Sequence, residues 1–352
     1  MTTTLGQTQT EAPSSEILVS ADSHVTEDAD LWYNALPPEM RDHAPRSRRR
    51  TAEETTRFHA GGWDPVERIK EMEQDGVSAE VLFPGTGASV FTIEDIALQE
   101  ACVRIYNDWL ANFCSTAPGR LLGIPMVSLY NIEHAVQELE RCKKKGLKGA
   151  LLWLVPRNDM PFHSEHYERL WAASEDLDMP IHLHILSGFG YHLQRSDGPE
   201  HIRGTVNLKM AEVSNALYEF IFYGILARHP RMKLVLVECE VGWIPFMTQQ
   251  WDTYYQRFKK TDNLPIDMPP SEYFNRQVYA TFVNDPVGTR HLSWWGEDNC
   301  MWSSDFPHPV TFWPKSRELI SSQMGHLSPE SRAKVLSGNA KKVYGETLAI
   351  PG

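Results

Sequence analysis

From about residue 16 onward the chain alternates short apolar runs with longer stretches in which apolar residues recur at helical spacing. Eight runs read as strands: 17–22, 79–84, 121–129, 149–154, 180–185, 233–238, 277–283 and 300–304. Helical patterns follow at 93–116, 132–145, 165–177, up to about 228, and at 329–344. The clearest helix start is Asp64 as N-cap with Pro65 in the first turn; Val66, Ile69 and Met72 follow at helical spacing, and Gly76 stops it. The last helix has Ser328 as N-cap and ends at Gly345. Eight strands, nearly every one followed by a helix, predict parallel βα units closed into a (β/α)8 TIM barrel rather than an open doubly wound sheet. No GxGxxG or P-loop follows any strand, which weakens a nucleotide-binding reading. The expected organisation is a disordered Thr- and Gln-rich tail over 1–15 and a single barrel domain over 16–352, with inserted loops at its catalytic face.

Composition narrows the partners. The 352 residues are 41% hydrophobic and 23% charged, an ordinary globular balance. A net charge of −12 argues against nucleic acid and against an anionic membrane surface. The one basic cluster, Arg41, Arg46 and Arg48 to Arg50, reads as a solvated loop. Five widely spaced cysteines without a CxxC pair form neither a disulfide framework nor a zinc ribbon, as in a reducing cytoplasm. The first residues lack the basic and apolar regions of a signal peptide, and no apolar run approaches the length of a membrane span. The expectation is a cytoplasmic protein, and barrels of this kind often pair into homodimers; a hetero-partner is left open.

Chemistry in such a barrel sits at the carboxyl ends of the strands. The ionisable residues there are Asp22, His24 and Glu27 after strand one; His182 and His184 on strand five; and Glu238 and Glu240 after strand six. Asp285 follows strand seven, and Asp305 and His308 strand eight. Each has a structural reading of its own: a turn cap for Asp22 or Asp305, a hydrogen-bonded core residue for either histidine, an ion pair for Glu238 or Glu240. Converging carboxylates and imidazoles would be costly to bury without a compensating cation, so their joint placement points to a divalent metal. The nitrogen- and oxygen-rich set suits Zn, Mn, Fe or Ni. Trp153, Trp243 and Trp302 read first as packing residues, with gripping of an apolar substrate as the alternative. Cys239, between two acids, is no nucleophile.

These pieces resemble the amidohydrolase superfamily, in its amidohydrolase-2 branch of metal-dependent barrels. The matching segments are Asp22-Ser23-His24-Val25-Thr26-Glu27, Val81-Leu82-Phe83-Pro84, Tyr106-Asn107-Asp108-Trp109-Leu110 and Pro118-Gly119-Arg120-Leu121. They continue with Pro180-Ile181-His182-Leu183-His184, Glu238 to Pro245, Trp302 to His308 and Gly338 to Tyr344, so the likeness covers nearly the whole chain after residue 16. It implies a metal at the barrel mouth, with His24, His184 and Asp305 on the positions of family ligands. Two departures stand out. Strand one carries Asp22-x-His24 where many members have His-x-His or Glu-x-His, and Glu238 stands where the decarboxylases usually place a histidine. There is no evident strand-four lysine to bridge two metals.

Carboxylates in place of imidazoles make the site harder and more anionic, favouring Fe or Mn over Zn. In this the chain is similar to the amidohydrolase-related dinuclear oxygenases. The leading expectation is therefore a monooxygenase with two Fe or Fe/Mn ions, using dioxygen to hydroxylate a small organic substrate. Asp22, His24, Glu27, His184, Glu238 and Asp305 would be ligands; Glu238, Asp305 and His182 would take part in catalysis; and Glu240, His192 and His308 stand in reserve. Trp153, Phe189, Tyr191, His192 and Trp302 are the expected substrate contacts, with the loop 187–207 as part of a lid. The alternative is a hydrolase or non-oxidative decarboxylase with a single Zn or Mn, and a distant third is a non-catalytic partner subunit.

Overall fold

The computed structural model describes residues 16–46, 59–191, 198–345 and 348. The expected tail 1–15, Arg48 to Arg50 and His192 lie outside the described residues.

Eight parallel strands form the barrel wall: β1 Val19–His24, β2 Ala79–Phe83, β3 Leu121–Gly123, β4 Ala150–Leu152, β5 Ile181–His184, β6 Leu234–Val237, β7 Val278–Phe282 and β8 Cys300–Trp302. They pair in chain order as one arc of three and one of five. Two seams close the circle. A parallel bridge between Met126 and Leu151 joins β3 to β4. On the other side His24 N–H donates to the Phe306 carbonyl at 2.7 Å and Asp305 N–H to the Asp22 carbonyl at 3.0 Å, joining β1 to β8. The TIM-barrel expectation is met.

Differences from the expected elements have local causes. β3 stops at Gly123 instead of reaching 129, because Pro125 has no N–H to give the ladder and serves only as acceptor for Leu151. β1 starts later and runs on to His24, with an irregularity in its pairing to β2 between Ser20 and Ser23. Asp22 and His24 thus lie in the strand, not beyond it. Its wholly buried pattern departs from the usual apolar inner layer at Ser20, Asp22, Ser23 and His24.

The principal helices are α1 Pro65–Asp75, α2 Ile96–Cys114, α3 Ile132–Lys144, α4 Glu168–Leu177, α5 Lys209–Phe222, α6 Ile244–Phe258, α7 Pro270–Gln277, α8 Ser316–Met324, α9 Pro329–Ala333 and α10 Asn339–Tyr344. Asp64 caps α1 by accepting from the Val66 and Glu67 amides, and Gly76 ends it in the left-handed region at φ 74°. Its buried face is Arg68, Met72 and Asp75, while Val66 is 54% exposed, so the helix is rotated from the face the apolar pattern suggests. The expected closing helix 329–344 is two helices joined by a wide turn, Lys334–Gly338. That turn's extra residue shifts the helix phase, and Asn339 then bridges the Glu297 and Cys300 carbonyls. Tyr344 reaches the floor of the barrel. Among the described residues no helix is long and apolar enough to cross a membrane, and all five cysteines are buried and unpaired.

Candidate metal centre

At the carboxyl ends of the strands, six side chains meet. His24 Nε2 lies 3.5 Å from Asp22 Oδ1 and 3.3 Å from Asp305 Oδ1. His184 Nε2 lies 3.7 Å from the same Asp22 oxygen, 3.4 Å from Glu238 Oε2 and 3.3 Å from His24 Nε2. His308 completes the group: its Nδ1 sits 2.9 Å from Asp305 Oδ1, and its ring stacks on His24 with centroids 4.0 Å apart. Asp22, His24, His184 and Glu238 each offer a ligand atom within 4.8 Å of the others, as do His24, Glu238, Asp305 and His308.

The backbone aims these groups. His24 Nδ1 meets the Pro84 carbonyl at 2.9 Å and His184 Nδ1 the Ile185 carbonyl at 2.8 Å. Since a carbonyl only accepts, each Nδ1 carries the hydrogen and each Nε2 turns its lone pair inward, the orientation a metal requires. Glu238 and Asp305, at φ 56° and 52°, adopt left-handed backbone just past their strands. Such positions cost about 1–3 kcal/mol each in a non-glycine residue and persist where the surroundings impose them. They turn acidic side chains toward the axis where a continued strand would not.

The electrostatics of the site call for a cation. Asp22 is fully buried, and neither of its oxygens receives a hydrogen bond; Asp305 Oδ2 is likewise unpartnered. Two lone pairs facing each other across 3.3 Å repel unless something positive lies between them. The protein partly answers with protons. Burial alone would pull His184 down, but the Asp22 and Glu238 carboxylates push it up to about 9. Burial and the neighbouring His308 hold the His24 imidazole down. Burial, and after it the Asp305 charge, hold the Glu238 carboxyl well above the usual carboxylate range. Burial opposes the ionisation of Asp305, yet contact with His24 and His308 keeps it well below. Two imidazoles and several carboxylates, some without donors, fit a divalent ion with nitrogen and oxygen ligands.

The remaining predicted residues are placed elsewhere. Glu27 is not brought to the cluster; its carboxylate accepts from Gly85 N at 3.0 Å and from Thr86 Oγ1 at 3.1 Å, tying down the loop after β2. His182 is on the same strand face as His184 but one layer lower, with Nε2 on the Tyr344 hydroxyl at 2.9 Å and its ring against Phe83. Burial drives its imidazole down to about 3, and it belongs to neither of the ligand groups. Asp285 accepts from the Val241, Gly242 and Gly288 amides. Glu240, at φ 49°, keeps Oε2 buried without a partner, and burial followed by the Asp285 charge pushes it up to about 7. Trp302 is fully enclosed. Trp153 is too, packed between Tyr130 and half-buried Phe189. The Tyr191 hydroxyl donates to Glu200.

One contributor escaped the sequence reading altogether. Arg68, on α1 and fully buried, pairs with Glu80 of β2 and donates from Nη1 to the His24 carbonyl at 2.8 Å. Its signal was an arginine in register with Met72 and Asp75 on one helix face.

A barrel of βα units with carboxylates and imidazoles gathered at its mouth defines a metal-dependent barrel enzyme. An amidohydrolase family model matches residues 24–345, and the chain belongs to that family. It is 24% identical over 292 residues to a gamma-resorcylate decarboxylase of Polaromonas sp., spanning 79% of this chain and 86% of the relative. Among solved structures, an amidohydrolase from Mycobacterium avium subsp. paratuberculosis superposes with a TM-score of 0.78 at 17% identity, covering 94% of this chain and 98% of the other. A dihydroxybenzoic acid decarboxylase from Polaromonas sp., with bound manganese and the inhibitor 2-nitroresorcinol, superposes with a TM-score of 0.70 at 21% identity, covering 95% of this chain and all of the other. These relatives overturn the expectation of a dioxygen-using monooxygenase: the sequence likeness runs to decarboxylases. The carboxylate-for-imidazole replacements that suggested oxygen chemistry alter the ligand set without defining the reaction.

Proposed function

We propose that this chain is a non-oxidative decarboxylase of a small aromatic carboxylate, working with one divalent ion such as manganese. Asp22, His24, His184 and Asp305 would hold the ion, and Glu238 would carry the proton. The two four-residue ligand sets share His24 and Glu238, which favours a single ion pocket over two. The decarboxylase relative and the manganese in the Polaromonas structure support the same reading. Glu238 is the observation that carries it: a half-buried carboxyl 3.4 Å from His184 within the ligand cluster, with its side chain 21% exposed, and held above the usual carboxylate range by burial and the Asp305 charge.

A divalent ion bound there would neutralise the substrate carboxylate and an adjacent oxygen. The chain's own residues supply the rest. Glu238 delivers a proton to the ring carbon that bears the carboxylate; the carbon–carbon bond then breaks, its electrons return to the ring, and carbon dioxide leaves. Water returns the proton to Glu238, so one proton is consumed per turnover. His308, on Asp305 and stacked on His24, keeps both groups oriented. Phe189, seated on Trp153, is the aromatic residue we assign to the substrate's body.

The test is turnover of 2,6-dihydroxybenzoate and related hydroxybenzoates by manganese-loaded protein in D2O. The expected result is carbon dioxide release, one deuterium at the vacated ring position, and the same rate without dioxygen. Glu238→Gln should keep its manganese and lose about 10²–10⁴-fold in kcat. No carbon dioxide from any hydroxybenzoate, with the metal fully loaded, would refute the reading.

A further inference from the structure

The seam between β1 and β8 carries His24 and Asp305, yet, like the seam between β3 and β4, it is not a continuous ladder. Among the described residues two backbone hydrogen bonds cross it near the site, His24 N–H to Phe306 and Asp305 N–H to Asp22. The break in β1 pairing between Ser20 and Ser23 adds to the irregularity. A ladder this short does not by itself fix the 3.3 Å between His24 Nε2 and Asp305 Oδ1.

Behind the seam lies a buried polar layer. The Arg68 guanidinium donates from Nη1 to the carbonyls of His24 (2.8 Å) and Gly61 (3.2 Å), and from Nη2 to that of Phe306 (3.4 Å). Its Nε pairs with Glu80, and its plane lies over the Phe306 ring, 4.7 Å from the centroid. Ser23 Oγ donates to the other Glu80 oxygen at 3.4 Å, and Ser23 and Ser304 hydroxyls meet across the seam at 3.1 Å. Ser20 Oγ accepts from Ser304 N at 2.8 Å. One rigid fork therefore holds the carbonyl of a ligand on β1 and the carbonyl next to a ligand after β8. A lysine offers a single nitrogen and cannot reproduce that planar reach.

We infer that Arg68, held by Glu80, is a positioning residue that sets the distance between the His24 and Asp305 ligands, and so the affinity for the metal. This rests on the metal reading of the site above. Burying a guanidinium is unfavourable against an apolar side chain of the same volume; bridging two ligand-bearing strands gives the charge a use that packing alone would not require.

The experiment measures manganese dissociation constants by equilibrium dialysis and electron paramagnetic resonance, with circular dichroism to establish folding. The variants are Arg68→Lys and the charge-neutral double variant Arg68→Met/Glu80→Gln, so that an unpaired buried Glu80 does not decide the result. Arg332→Met, which breaks the remote buried pair with Glu16, is the control for general destabilisation. Expected is a rise of about tenfold or more in Kd for both Arg68 variants, the scale for losing a group that orients metal ligands, with the control unchanged. A folded Arg68→Lys or double variant that binds manganese as tightly as wild type would overturn the inference. A wild-type chain that binds no manganese would instead overturn the metal reading beneath it.

Discussion

A divalent ion held by His24 and His184 would need the Nε2 lone pair of each, so a proton on either imidazole competes with it. His184 is pushed up to about 9 while His24 is held down, so below pH 9 the proton sits on His184 and is directed at His24 Nε2, 3.3 Å away. Raising the pH should therefore tighten manganese binding. With one proton displaced, each pH unit below 9 is worth a factor of about ten in Kd, or about 1.4 kcal/mol. Stability of the metal-free protein should run the opposite way. The folded pKa of His184 lies above its unfolded value near 6.5, so its contribution is full below pH 6.5 and is lost as the pH rises through 9. The shift from 6.5 to about 9 corresponds to a stabilisation on the order of 3 kcal/mol. Isothermal titration calorimetry in buffers of different ionisation enthalpy reads the protons released, and thermal melts of metal-free protein between pH 6.5 and 9 read the stability. A Kd independent of pH across that range, with no proton release, would refute the argument.

Three further outcomes follow from the same geometry. Asp22→Asn should abolish manganese binding and lower the melting temperature of the metal-free protein below pH 9, because it removes the carboxylate that does most to hold the His184 proton; an unchanged or higher melting temperature would contradict this. Glu27→Ala should leave the manganese count unchanged while costing about 1–3 kcal/mol in denaturant unfolding, since Gly85 N and Thr86 Oγ1 lose their acceptor. Gly149→Ala should destabilise the floor of the barrel, measured the same way, because Gly149 has φ 91° and an added Cβ would stand 2.5 Å from His182 Cε1.

The parts of the site legible in the sequence were those that depend on strand parity. Asp22 and His24, like His182 and His184, are two apart and share a face, and an apolar run ending in charge marks a strand reaching the barrel mouth. Parity gives the face but not the depth. His182 obeys the same rule as His184 and lies a layer below, paired with a tyrosine 162 positions away that no local pattern could connect to it. Glu27 fails for a related reason: past the strand end the period of two no longer applies, and the chain turns it toward the amide of Gly85. Glu238 and Asp305 did reach the site, but through left-handed backbone at residues that seldom adopt it, a conformation that spacing does not predict.

Arg68 marks the deeper limit. A helix pattern is read by assuming that charge faces water, and on α1 that assumption selects Val66, which is exposed, over Arg68, which is not. The arginine faces inward because the carbonyls of His24 and Phe306 and the carboxylate of Glu80 are there to receive it, and those come from β1, β2 and the loop after β8, far apart in the chain. The charge on the inner side of the wall follows the same logic. Asp22, Glu238 and Asp305 are gathered where only a cation or shared protons can hold them, and Arg68 and Glu80 neutralise each other behind them. A fold that needed only a stable barrel could fill both layers with Val and Leu. That is the ground for reading the polar layer as support for the proposed metal site: it ties the His24 and Phe306 carbonyls to one guanidinium, which an apolar layer could not do.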